Sequence, residues 1–171
     1  MRVTGENVGT NGVWTKIYAR GVATNQVNTA NARNQNCSAG TIYLQGKSDG
    51  EKGGTIYVKN QASYDTSNVA TWIPAATRGD DAKDFAKSKL VIADRGVVAI
   101  GTNIVKFASI SIAENSRLDL HGALVKAKVV WVRGDRLSPG SYTAEKLPGT
   151  LADSGEGGLL QVGGGFSITV R

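Results

Sequence analysis

Several sets of residues carry groups that could do chemistry. Gly79-Asp80-Asp81 sets two carboxylates side by side, and glycoside hydrolysis needs two carboxyl groups at a fixed separation, one of them holding a proton. Asp94, Glu114 and Asp135 recur at intervals of about 20 residues, and acids stacked at successive turns supply the oxygen ligands that a calcium ion takes. His121 is the only imidazole and Cys37 the only thiol. Arg-Gly-Asp, an integrin ligand when it sits on an exposed loop tip, occurs at Arg78-Gly79-Asp80 and again at Arg133-Gly134-Asp135. Tyr18, Tyr43 and Tyr57 each lie between two apolar residues, and Trp131 lies between Val130 and Val132. On strands, that spacing turns the rings outward if their neighbours point in, where they can stack on sugars or cover another protein.

Each set also has a simpler account. Asp80-Asp81 opens the run DDAKDFAKSK, which suits one short helix with acids at its N-terminus and lysines toward its end. The three spaced acids suit solvated turns, as do both Arg-Gly-Asp tripeptides. A zinc site would need one His, one Cys and carboxylates that do not cluster near either. His121 has no nucleophile motif beside it. Gly163-Gly164-Gly165 lacks the lysine and following helix of a phosphate loop. Tyrosine is also simply a good strand former. The chain is therefore read as non-catalytic, with no metal and no cofactor. Tyr18, Tyr43, Tyr57 and Trp131 are its candidate contact residues, for a polysaccharide or a surface protein.

Composition bounds what must position these groups. Glycine makes up 22 of 171 residues, roughly twice the average usage of about 7%, while proline numbers 3. Many glycines between short apolar runs mean many tight turns between short strands. The formal net charge is +6, yet the basic residues are scattered, so no nucleic-acid partner is read from it. A single cysteine rules out an intrachain disulfide. No apolar stretch is long enough to span a membrane as a helix, and no secretion signal follows Met1.

A repeat organises the second half. Residues 91–110 lie over 111–130 without a gap, matching Ile92 to Ile112, Val98 to Leu118, Ile104 to Leu124, Val105 to Val125 and Lys106 to Lys126. Apolar pairs alternate within each period, as Leu90/Ile92, Val98/Ile100 and a third element at Ile104–Phe107. Alternation at period two buries one strand face and wets the other. Three short strands in 20 residues is the arithmetic of a right-handed parallel β-helix, a β-solenoid whose coils must stack to bury a common core. An antiparallel β-sandwich also gives short alternating strands, but it does not call for a gapless match.

The whole chain, 1–171, is read as one such domain. Residues 1–60 form irregular coils around three similar strands beginning at Lys16, Thr41 and Thr55. Residues 61–89 are an excursion holding the short helix, residues 90–133 are regular coils, and residues 134–171 form a Gly-rich C-terminal coil or cap. Open ends of such a stack expose unpaired strand edges, so end-to-end self-association is expected.

The string from Ile112 to Ala144 resembles a repeat of bacterial autotransporter-like passenger regions. The matching residues are Leu118-Asp119-Leu120-His121-Gly122 and Ser138-Pro139-Gly140-Ser141-Tyr142-Thr143-Ala144. The resemblance covers about half the chain and implies a β-helical stalk of a secreted or surface-displayed bacterial protein, structural or adhesive in role. It carries no catalytic content. The paired aspartates resemble those of β-helical polygalacturonases, but the other signatures of that family are missing. A fragment of a polysaccharide-active β-helix enzyme, lyase or glycoside hydrolase, is the alternative.

Overall fold

The computed structural model describes residues 2–4, 39–50, 53–60, 70–74, 85–101 and 103–163. Among these residues, apart from one 3-10 turn at Lys47–Asp49, the elements are strands. They are β1 (Arg2–Thr4), β2 (Thr41–Gln45), β3 (Gly54–Lys59), β4 (Thr71–Pro74), β5 (Ser88–Ala93), β6 (Val97–Gly101) and β7 (Ile104–Ile112). Then come β8 (Arg117–Asp119), β9 (Leu124–Val132), β10 (Asp135–Arg136), β11 (Gly140–Tyr142), β12 (Leu151–Ala152) and β13 (Leu159–Val162). The larger sheet runs β1-β2-β3-β5-β7-β9-β13-β11, with β10 on β9, and the smaller runs β12-β8-β6-β4. From β3 to β9 the chain alternates between the two sheets, and every pairing among those strands is parallel.

The 20-residue match is a physical register. Lys89 pairs with Ser109, Val98 with Leu118, Ile104 with Leu124, and Ile92 with Ile112, which pairs in turn with Val132. The inward positions form apolar ladders: Ile56–Leu90–Ile110–Val130, Val105–Val125–Leu160 and Val98–Leu118–Leu151. All ten of these side chains belong to one buried cluster. Phe107 sits over Ala127, a large residue over a small one, and Phe85 stacks on the Phe107 ring at 5.6 Å and 18°. These parallel registers exclude an antiparallel sandwich.

β7 and β9, at nine residues each, are longer than the strands expected, and the burial alternation shifts partway along each. In β7, Val105 and Phe107 point in, then Ile110 and Ile112, so the alternation slips by one at Ala108-Ser109. β9 slips at the equivalent Lys128-Val129. The N-terminal halves pair on toward β13 and the C-terminal halves back toward β5. The larger sheet thus divides into two parts on either side of that slip. Ile104, matched as apolar in the repeat, lies outward and is 58% exposed.

Elsewhere the structure departs from the sequence reading. β2 and β3 are not successive coils but antiparallel neighbours, Ile42 opposite Tyr57 and Tyr43 opposite Ile56. The similar strand at Lys16–Gly21 lies outside the described residues. The segment 61–89 is not wholly an excursion, since Thr71–Pro74 forms β4 and stacks Ile73 on Ile100. Residues 85–89 are not helical: Ala86-Lys87 is a turn, and Ser88 and Lys89 begin β5 because Ser88 is a buried inward position opposite Gly54. Residues 80–84 of that expected helix lie outside the described residues.

The stretch after Val132 does two things. Residues 151–152 and 159–162 add a further layer, parallel to β8 and β9 at offsets enlarged by an insertion. The insertion folds back as antiparallel β10 on β9 and antiparallel β11 on β13. Both parts of the larger sheet therefore end, on this side, in a short antiparallel strand, which blunts the edge that self-association would use. The final alternating strand expected at 166–170 lies outside the described residues.

Truncation at an inward rung should be costly and at an outward rung nearly silent. Ile110→Ala is expected to lower unfolding free energy by about 2–5 kcal/mol, whereas the adjacent Ser111→Ala should stay within about 0.5 kcal/mol. Chemical denaturation of the two variants checks this; equal effects would contradict the assigned faces.

Candidate functional site

The described candidate contact residues do not share a face. Opposed residues of an antiparallel pair project to the same side, so Tyr43 goes with Ile56 and Tyr57 with Ile42. Tyr43 accordingly packs against the main core. Its hydroxyl donates to the Gly53 carbonyl, and a Cβ on Gly54 would meet its Oη at 2.8 Å. The expectation that Tyr43 points outward is thus corrected. Period-two reasoning fails there because Ile42 and Leu44, although buried, lie on the opposite side of the strand from the main core and do not join it.

Tyr57 and Trp131 do lie on one outward ladder, Tyr57–Val91–Ser111–Trp131, with Arg136 beyond. Trp131 is 36% exposed. Tyr57 is half-buried; that burial, set against a hydrogen bond with Thr55, moves its phenol above the usual tyrosine range. Tyr18, Cys37, Asp80 and Asp81 lie outside the described residues, as does the first Arg-Gly-Asp. The second one forms an exposed two-residue hairpin: Trp131 faces Arg136 and Val132 faces Asp135, and Arg133 and Gly134 take φ of 55° and 92°. Of the three spaced acids, Asp94 pairs with Lys59 at 3.5 Å, and Asp135 belongs to β10, not to the turn stack. Among the described residues no three His, Cys, Asp or Glu side chains gather as a metal site would require.

A polar cluster that sequence reasoning set aside lies on the smaller sheet. Asp119 is the outward residue between buried Leu118 and Leu120, so its carboxylate stands on the surface where the chain turns at His121-Gly122. Its Oδ1 accepts from the backbone N–H of His121 at 3.0 Å and of Ser154 at 2.9 Å, and its Oδ2 accepts from Ser154 Oγ at 2.7 Å. His121 Nδ1 is 2.8 Å from the same Oγ. The single hydroxyl proton goes to Asp119, so the imidazole is the donor in that contact. Asp153 mirrors the arrangement, accepting from Gly122 N at 2.7 Å and Gly158 N at 2.6 Å. The two turns approach so closely that a Cβ on Gly155 would meet the His121 carbonyl carbon at 2.5 Å. Trp72, outward on β4 and 53% exposed, meets His121 edge-on at 4.9 Å and 89°.

An Asp, a His and a Ser in contact invite comparison with a hydrolytic triad, but the order is wrong. In a triad the imidazole stands between carboxylate and hydroxyl and takes the hydroxyl proton. Here the hydroxyl stands between the other two and already gives its proton to the carboxylate. Asp119 is also a weak base. Burial alone would raise its pKa, but the N–H and hydroxyl of Ser154, the N–H of His121 and the imidazole's charge outweigh that and hold it below the usual carboxylate range. The cluster is a latch between two turns that are 33 to 35 residues apart. No sequence signal marked Ser154, Asp153 or Trp72, since their partners lie across a layer whose offset is not 20.

No protein-family profile, curated protein or solved structure matches this chain.

The latch predicts a pH response. A carboxyl whose folded pKa is depressed adds stability that is complete above its unfolded value, near 3.9, and is lost as pH falls through the folded value. Wild-type protein should lose stability below about pH 4, and Asp119→Ala should flatten that part of the profile. At neutral pH the same variant should be destabilised on the order of 1–3 kcal/mol. Thermal melts across pH test both statements; parallel profiles for the two proteins would refute the latch.

Proposed function

We propose that the chain is a segment of a right-handed parallel β-helix that extends and displays a surface without catalysing a reaction, as part of a secreted or surface-exposed bacterial protein. One observation carries this reading: the same 20-residue parallel offset holds at Val98/Leu118, at Val105/Val125 and at Ile110/Val130. Three successive strand positions advancing by one layer together is what a coiled path requires. The right hand follows from the strong bias of parallel crossovers.

The motifs behind the autotransporter-like resemblance act as structural punctuation, which supports the same reading. Leu118-Asp119-Leu120-His121-Gly122 supplies two inward leucines and the latch carboxylate. Ser138-Pro139-Gly140-Ser141-Tyr142 supplies β11, with the Tyr142 hydroxyl donating to the Ser138 carbonyl at 2.8 Å and Lys146 Nζ donating to the Ser141 carbonyl at 2.9 Å. An enzyme would instead gather free acids or bases in one groove. Both Asp153 oxygens and Asp119 Oδ1 accept from backbone N–H groups, and the Ser154 hydroxyl is held between Asp119 Oδ2 and His121.

A stack tolerates whole layers and not fractions of one. Inserting a second copy of residues 104–123 after Ala123 adds one period. The product should melt cooperatively at or above the parent midpoint and lengthen by about 4.8 Å. Inserting 104–113 alone should abolish cooperative melting. Equal damage from both insertions, read by circular dichroism and small-angle scattering, would rule the coiled path out.

A further inference from the structure

Charge is distributed unevenly over the larger sheet. Strands β3, β5, β7, β9 and β13 carry Lys59, Lys89, Lys106, Lys126 and Lys128, and none of them contains an aspartate or glutamate. The acids of the same layers stand at turns or on short strands, as Asp94, Glu114, Asp119, Asp135, Asp153 and Glu156. Register sharpens the imbalance. Lys106 lies directly on Lys126, one strand spacing of about 4.8 Å away, and Lys128 stands two residues along, where the alternation slips. Like charges in that relation repel. Lys59 has Asp94 beside it, but Lys89, Lys106, Lys126 and Lys128 have no ion-pair partner among the described residues. A surface shaped only for folding and solubility intersperses the two signs.

What borders the lysines narrows the ligand. Ile104, Leu124 and Leu159 form an outward aliphatic ladder on one side. Beyond the slip come Ser109–Val129 and Ser111–Trp131. Cations beside an aliphatic strip match a chain that carries anionic groups and also presents C–H faces, as acidic pyranose polymers do. A nucleic-acid strand fits less well. The cations of β7 and β9 are all lysines, which offer no planar fork for phosphate, and Arg136 stands apart from them on β10, past Trp131. Tyr57 and Trp131 are three strands apart, roughly 14 Å at the usual spacing, too far to stack successive bases.

We propose that this face of the larger sheet binds an acidic polysaccharide, its carboxylates or sulfates on Lys106, Lys126 and Lys128 and its sugar rings against Ile104, Leu124 and Leu159, with Trp131 as a stacking residue at the rim. The proposal rests on the display reading for the kind of ligand met, and on the strand registers alone for the surface.

Calorimetric titration of the full chain with polygalacturonate, dextran sulfate, uncharged dextran and oligothymidylate tests it. One or both acidic polysaccharides should bind, more weakly as salt rises, and the better of the two identifies the anion. Uncharged dextran should not bind. Lys106→Gln, Lys126→Gln and Lys128→Gln combined should lower affinity at least roughly tenfold and flatten the salt dependence. The melting temperature should hold or rise, because like-charge contacts are relieved. Trp131→Ala should weaken binding by a smaller factor without changing the salt dependence. Unaltered binding by the triple variant, equal binding of uncharged dextran, or tighter binding of oligothymidylate than of either polysaccharide overturns the proposal. If the one-period insertion melts cooperatively while no acidic polysaccharide binds, the ligand is wrong and the coiled path stands.

Discussion

Parallel stacking in register is the constraint on which the rest depends. A residue at an inward position has, as its nearest neighbours, the residues one layer up and one layer down at the same position. Burial is thus decided for a whole ladder at once: Ile56, Leu90, Ile110 and Val130 are all inside. Slipping any one strand by a residue would turn its entire apolar set outward. Backbone groups impose the same discipline, because each strand's N–H and C=O groups need the layer on either side. Turns join the ladder as well: Ala113 N donates to Ile92 O and Arg133 N to Ile112 O, both at positions one layer apart.

Irregularity is permitted wherever it leaves the registers intact. The path from Val132 to Leu151 is longer than a layer needs, and the surplus is folded out as β10, β11 and their connections. The layer that follows still pairs Leu151 with Leu118 and Leu124 with Leu159. That layer has a longer loop to close than the two before it, and side-chain bonds supplement its strand pairing. Asp119 and Asp153 each clamp a turn of the neighbouring layer, and Gly155 allows the backbones to come within reach.

The legibility of the sequence follows from where the offset is constant. Between Leu90 and Val132 each layer has the same length, so apolar residues and even Lys106 and Lys126 recur at one spacing, and face and register could be read directly. Where the offset grows to 34 between Gly54 and Ser88, or to 27 between Thr71 and Val98, the same physics operates without a visible period. Thr71–Pro74 and Ser88 were hidden for that reason. Tyr43 was misplaced for a different one. Alternation shows that two sets of residues face opposite ways, but on a strand with apolar residues on both sides it cannot say which side is the core. The latch was illegible because Asp119, Ser154 and His121 meet only through a long insertion.

The lysine ladder is the point at which stacking and stability part company. A parallel in-register stack multiplies whatever an outward position carries. An isolated exposed lysine has almost no effect on stability, but Lys106 stacked on Lys126 adds repulsion between two layers and gains nothing from the core. Acids could have interleaved at these positions without disturbing a single inward rung, since Lys106 and Lys126 point away from Val105, Phe107, Val125 and Ala127. The turn acids show that this chain places carboxylates one to three residues beyond the strand ends, and Asp94 reaches back to Lys59 from such a turn. The absence of acids from the strand bodies is therefore not forced by the fold. The same grouping of Lys106, Lys126 and Lys128 that weakens the stack by self-repulsion would offer a linear polyanion adjacent contacts. The cost falls on the free protein, and a bound polymer of opposite charge would remove it.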